Sequence, residues 1–210
     1  MLSEKHRPQD FSQVIGQGKV IRLLQWYLDQ PSDSGRAFLL TGPSGCGKTS
    51  LAMCVAEYWG VGEFDVHRIE SAECDVQAVR RLASDMSYYG SGTSGRKVYV
   101  VDEIHTLSGK AADRLLSLLE SLPKHVLIVA TTTESNWGSD VLLSRWTRCD
   151  LGKPRATDVA VLLEQIAAAE GLPTPDTGWA TKYCKAVGLN LRNLINQLPA
   201  HLLGSAVQAA

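Results

Sequence analysis

The apolar positions of this chain change their spacing along its length, and that spacing predicts its elements. Short continuous apolar runs at 37–41 (AFLLT), 97–103 (KVYVVDE) and 125–133 (HVLIVATTT) predict buried strands. FDVHRIE at 64–70 alternates and predicts another strand, and RCDL at 148–151 a short fifth. Helical spacing lies between them: about 19–28, from 48 onward with Leu51, Val55 and Trp59 near one face, 76–89, and 111–122, which Pro123 stops. The polar, turn-rich stretch 5–18 is a lead-in, and 31–35 and 91–95 are loops by composition. Strands separated by helices imply parallel strands joined by right-handed crossovers and covered on both faces. After GKPR at 152–155 only helices follow, over 157–170, about 177–187 and about 190–203. The expectation is an α/β domain over 1–152 and a small all-helical domain over 153–210 that packs on it.

One stretch brings chemistry. GPSGCGKTS (42–50) fits GxxxxGK[ST] after a predicted strand and before a predicted helix, the context that phosphate binding demands. Gly42, Gly45 and Gly47 let the backbone curl. The loop through Pro43, Ser44, Gly45, Cys46 and Gly47, with Ser50 beyond it, then turns N–H groups toward a phosphate chain. Lys48 is expected at the β and γ phosphates and Thr49 on Mg²⁺. The fold class is therefore α/β, a P-loop NTPase parallel sheet with helices on both faces and a small helical lid. The 97–103 strand delivers Asp102 and Glu103 at its C-terminal end, where ligands bind in open α/β sheets. Asp102 is expected to hold Mg²⁺ or its water, and Glu103 to orient the attacking water on ATP. Of the threonines that end the fourth strand, Thr132 is the first choice to approach the γ-phosphate and Thr131 the second.

Composition narrows the classes. Of 210 residues, 44% are hydrophobic and 20% charged, and the formal net charge is -1, so attraction to nucleic acid must come from a local patch. Arg80, Arg81, Lys110 and Arg114 are the candidates, with a solvated helix face as the plain alternative. Five cysteines without CxxC spacing predict neither a disulfide framework nor zinc. No run is long and apolar enough for a membrane helix, and the charged start resembles no signal peptide, so a cytoplasmic chain is expected. Trp26, Tyr27, Trp59, Tyr88 and Tyr89 are expected in the core or at an interface.

The ordered motifs resemble those of AAA+ ATPases, and among them the ATPase core of DNA polymerase clamp-loader subunits. KHRPQDFSQVIGQ at 5–17 resembles the family's opening, VYVVDEIHTLS at 98–108 its acidic strand, and LLSLLESLPKHVLIVATTT at 115–133 its helix and sensor-1 strand. LLSRW at 142–146 stands where the family has Ser-Arg-Cys, and GLNLRNLINQL at 188–198 where it has the sensor-2 arginine. The resemblance implies that Arg7, Pro8, Val14, Ile15 and Gln17 lie on the nucleotide side. It implies that Arg145 is an arginine finger for ATP on a neighbouring subunit. Read alone, Arg145 could equally pair with an acid of its own chain. Arg192 would reach from the lid to the γ-phosphate of its own site. Trp146, in place of the family's cysteine, is expected at a subunit contact. The family's zinc module and collar domain have no counterpart here, as in a shortened form or a minimal relative.

The implied partners are other AAA+ subunits, DNA and a sliding clamp. Three classes of function fit: a clamp-loader-like ATPase, an AAA+ regulator of a phage, plasmid or mobile-element nucleoprotein complex, and a non-catalytic nucleotide-binding subunit.

Overall fold

A computed structural model describes residues 1–70 and 75–208. Five parallel strands form one sheet in the order β2-β3-β4-β1-β5. They are β1 (Arg36–Thr41), β2 (Val66–Glu70), β3 (Lys97–Asp102), β4 (Val126–Thr132) and β5 (Thr147–Asp150). The helices are α1 (Leu2–Lys5), α2 (Gly18–Asp29), α3 (Lys48–Tyr58), α4 (Val76–Asp85), α5 (Gly109–Leu119), α6 (Asp140–Leu143), α7 (Ala156–Ala169), α8 (Thr177–Val187) and α9 (Leu191–Gln208).

Successive strand residues face opposite sides of a sheet, which explains the unbroken apolar runs. Phe38 and Leu40 of β1 join Leu24, Val55, Val100 and Val129 in one apolar layer. Ala37 and Leu39, one position out of phase, join Tyr99, Ile128, Leu115 and Leu119 in the other. A third cluster, with Val159, Leu163, Tyr183, Leu194 and Leu198, holds α7–α9 together as the helical lid, and Leu2 and Ile15 pack against it. Strand β1 lies between β4 and the edge strand β5, so the loop after Thr41 emerges from an interior strand at the sheet's C-terminal edge.

Several expectations needed correction. β2 begins at Val66 because Asp65 is drawn into a turn, where its buried carboxylate accepts the Ser91 and Gly92 N–H groups at 2.9 and 2.8 Å. Phe64, read as part of the strand, points outward and is 90% exposed. α4 stops at Asp85, whose carboxylate accepts hydrogen bonds from Lys97 Nζ at 2.9 Å and from the Tyr99 hydroxyl, ahead of residue 89. α5 begins at Gly109 because Ser108 caps the Ala111 N–H. Trp146 is buried in the α5-side layer, away from any outer contact face. Trp59 is in the core, whereas Trp26, Tyr88 and Tyr89 are exposed. Cys74 lies outside the described residues, among which no group of three or more His, Cys, Asp or Glu could hold a metal. No described helix is long and apolar enough to cross a membrane.

Candidate functional site

The loop between β1 and α3 is shaped by its glycines. Gly47 stands at φ 99° as the N-cap of α3, and no side chain caps that helix, so its first N–H groups are left for a ligand. Gly45 stands at φ +73° with no room for a Cβ, since Asn190 Oδ1 would lie 2.1 Å away. The Lys48 ammonium is held inside the loop, donating to the Gly42 carbonyl at 2.9 Å and to that of Pro43 at 3.2 Å. Burial pushes the Cys46 thiol above its ordinary range, with Lys48 opposing, so the sulfur stays a neutral thiol.

The lid closes on this loop through the start of α9. Leu191 N–H donates to the Gly45 carbonyl at 3.0 Å, and Asn190 Nδ2 donates to the Ser44 carbonyl at 3.4 Å. Asn190 Oδ1 also accepts the Asn193 N–H at 3.2 Å, so one side chain caps α9 and touches the loop.

Between loop and lid lies a cavity of about 760 Å³. That volume is within the range of small-molecule sites and admits a nucleotide. Ser44 to Ser50, Glu103, Arg192, Arg7, Pro8, Val14 and Ile15 line it. Gly42 and Pro43 stand behind it as acceptors for Lys48. Gln17 does not line it, because its side chain donates to the Gly152 carbonyl at 2.7 Å. Arg7, on the wall, donates from Nη2 to both Glu4 carboxylate oxygens, at 2.8 and 2.7 Å.

The acidic end of β3 adjoins the floor. Asp102 Oδ1 accepts the Thr49 hydroxyl at 2.8 Å and the Thr131 hydroxyl at 3.1 Å, and Arg68 Nη2 donates to Oδ2 at 2.9 Å. The neighbouring Thr49 and Asp102 oxygens are hard donors of the kind Mg²⁺ takes. Glu103 leaves the strand at φ 51°, the one positive φ outside glycine among the described residues. Its N–H donates to Thr131 Oγ1 at 3.1 Å. Thr131 is thus the threonine brought to both acidic residues. Thr132, the first choice, points to the other side of the strand, where its hydroxyl meets His105 Nδ1 at 3.1 Å.

Arg145 lies outside the cavity, half exposed, with Nη2 on Glu120 Oε1 at 2.9 Å. Such an exposed pair is worth roughly 0–1 kcal/mol. Arg80, Arg81, Lys110 and Arg114 are exposed on α4 and α5, which pack together, and among the described residues none of the four is in an ion pair. Residues that the sequence did not single out are Arg68, His105 and Asn190. For Asn190 a signal existed: an Asn directly before an apolar helical run is an N-cap.

The model of the ATPase family associated with various cellular activities (AAA) matches residues 38–152, more than half of the chain. The chain belongs to the AAA family. This AAA domain is an ATPase domain, a P-loop sheet followed by a helical lid. It is similar to DNA polymerase III subunit gamma/tau of Mycobacterium tuberculosis (strain ATCC 25618 / H37Rv), 28% identical over 98% of this chain and 39% of that protein. DNA polymerase III subunit tau of Bacillus subtilis (strain 168) is 31% identical over 79% of this chain and 33% of that protein. The replication factor C large subunit of Methanococcus aeolicus is 25% identical over 96% of this chain and 43% of that protein. The AAA chain therefore spans less than half the length of these relatives. Among solved structures, the Thermotoga maritima RuvB Holliday junction branch migration motor shares the fold, with a TM-score of 0.75 and 22% identity over 91% of this chain and 63% of that one.

Proposed function

We propose that this chain is an ATP-driven assembly motor that acts on DNA in the manner of clamp-loader subunits, with each site completed by a neighbour. The observation that carries the reading is the split of the cationic groups. Lys48 and Arg192 are at the nucleotide cavity, while Arg145 is exposed outside it, held by one surface ion pair. Releasing that pair costs about 1 kcal/mol or less, so Arg145 is available to a neighbouring subunit's site.

In this reading the P-loop N–H groups, Lys48 and Arg192 neutralise the triphosphate, and Val14 and Ile15 face the base. Thr49 and Asp102 hold Mg²⁺, which supplies positive charge against the phosphate oxygens. Glu103 directs water at the γ-phosphorus, with Thr131 fixing both acidic residues. Thr132 braces the strand end from the opposite side. Residues 1–152 and 153–210 are the two working units, and the Asn190 contact with the P-loop joins lid position to nucleotide state. ATP favours the closed oligomer and ADP loosens it.

DNA would be met by Arg80, Arg81, Lys110 and Arg114, whose charges no described acid of this chain pairs, through phosphates and without sequence readout. The similarity to polymerase III gamma/tau and replication factor C subunits supports a sliding clamp as the loaded partner. The test is ATP turnover per protomer across a wide range of protein concentration, with and without primed DNA. The specific rate should climb with concentration and again with DNA. A measurable rate that is flat with concentration would make Arg145 a structural residue and end the reading.

A further inference from the structure

His105 stands just after the acidic pair, at a junction that nothing in the nucleotide chemistry above uses. Its Nδ1 lies 3.1 Å from Thr132 Oγ1 and 3.4 Å from Glu103 Oε2. Its Nε2 faces Glu134 Oε1 at 3.9 Å. The side chain is 17% exposed, against 49% for Glu103, so a mostly buried ring meets a half-exposed carboxylate.

The groups around Nδ1 suit a hydrogen on that nitrogen. A hydroxyl has one proton to give and two lone pairs. Thr132 Oγ1 accepts the Glu134 N–H at 3.0 Å and directs its own proton to the Glu134 carbonyl at 3.3 Å. That leaves Thr132 a lone pair toward His105, and the Glu103 carboxylate beside Nδ1 can only accept, so both neighbours suit an Nδ1–H. The Glu103 carboxylate lies 3.4 Å from the same nitrogen, as a charge contact beside the Thr132 hydrogen bond. On the other side Thr133 Oγ1 donates to the same Glu103 oxygen at 3.4 Å. Meanwhile the Glu103 backbone is left-handed, a conformation that costs a residue with a Cβ about 1–2 kcal/mol and persists where its surroundings impose it.

The geometry points to His105 as a positioning residue for the Glu103 carboxylate, tying it to the end of β4. The buried Thr132 hydroxyl anchors the ring, and the ring's N–H limits where the carboxylate can swing. This inference rests on the reading of Glu103 as the residue that orients water. It gives the DEIH histidine and Thr132 one shared role, which is to keep that carboxylate in reach of the cavity.

The test compares His105→Ala, His105→Asn and Glu103→Gln. Mg-ATP turnover is read at a protein concentration where the wild type is active. His105→Ala should lower kcat about ten- to a hundredfold, the scale of an ångström-sized misplacement, and leave KM for ATP and the melting temperature nearly unchanged. His105→Asn, whose amide N–H can replace Nδ1–H, should recover most of the rate. An unchanged kcat in His105→Ala overturns the inference. If Glu103→Gln alone turns over like wild type, the water-orienting reading fails instead. Crystal structures give a readout that needs no turnover. The Glu103 carboxylate should leave its place in His105→Ala and keep it in His105→Asn, and a carboxylate unmoved in both overturns the proposal.

Discussion

Replacing Gly45 by alanine tests the docking of the lid on the phosphate loop. Two costs are predicted, and they separate. The backbone at φ +73° costs alanine roughly 1–2 kcal/mol whatever surrounds it. The added Cβ would also stand 2.1 Å from Asn190 Oδ1, 2.3 Å from its Cγ and 2.6 Å from its Nδ2, so the Asn190 side chain must swing away. Swinging away gives up the cap on Asn193, worth about 1 kcal/mol. Gly45→Ala should therefore cost about 2–3 kcal/mol in urea unfolding. Asn190→Ala alone should cost about 1 kcal/mol. Since the cap is already gone in the double variant, its cost should fall about 1 kcal/mol short of the sum, outside the ~0.5 kcal/mol expected for independent sites. Strict additivity would refute the close approach of lid and loop.

Three further outcomes follow from the same geometry. Lys48→Ala should abolish binding of a fluorescent ATP analogue, while Glu103→Gln should bind it normally and stop turnover; binding retained by the first would remove Lys48 from the site. Trp146→Ala should cost about 3–5 kcal/mol in chemical unfolding. Trp146→Phe should cost far less, because the buried indole N–H has no acceptor among the described residues and its removal abandons no bond. In acid, Asp65, held low by the Ser91 and Gly92 N–H groups, Asp85, held low first by Tyr99 and then by Lys97, and Asp150, held low first by Thr41, all titrate below 3.8 when folded. The unfolded chain then takes up protons first, so their stabilisation is complete above about pH 4 and is lost as pH falls through the folded values. A urea midpoint that holds at neutral pH and drops below about pH 4, with a shallower drop in Asp65→Asn, is the expected profile.

The elements best legible in the sequence were those whose residues answer to one demand. β1, β3 and β4 are buried on both faces, so their apolar runs are unbroken and hard to misread. The 42–50 loop and the Asp102-Glu103 pair stand at one edge of the sheet as expected, because each follows the end of a buried parallel strand. Where two demands competed, the pattern misled. Asp65 sits in the alternating FDV stretch, yet its carboxylate is needed by the 90–95 loop, and a turn replaces the first strand residues. Trp146 suggested a partner face by its place after Arg145, but the short β5 that follows brings its ring into the core. A three-threonine run does not say which hydroxyl faces which side; only the register Leu40↔Thr131 and the seating of Asp102 bring Thr131 to the acidic pair. The lid's grip on the loop, from Asn190 to Ser44, spans 146 positions and leaves no local trace.

The central claim is that the site of one subunit is finished by Arg145 of another, and mixing two inactive variants tests it most directly. Arg145→Ala keeps its own Glu103 but offers no arginine, and Glu103→Gln offers the arginine but cannot use it. Each should hydrolyse ATP at near-background rates alone, and the mixture should turn over well above the sum at concentrations where ultracentrifugation shows assembly. A mixture that equals the sum of its parts while assembled would contradict the account.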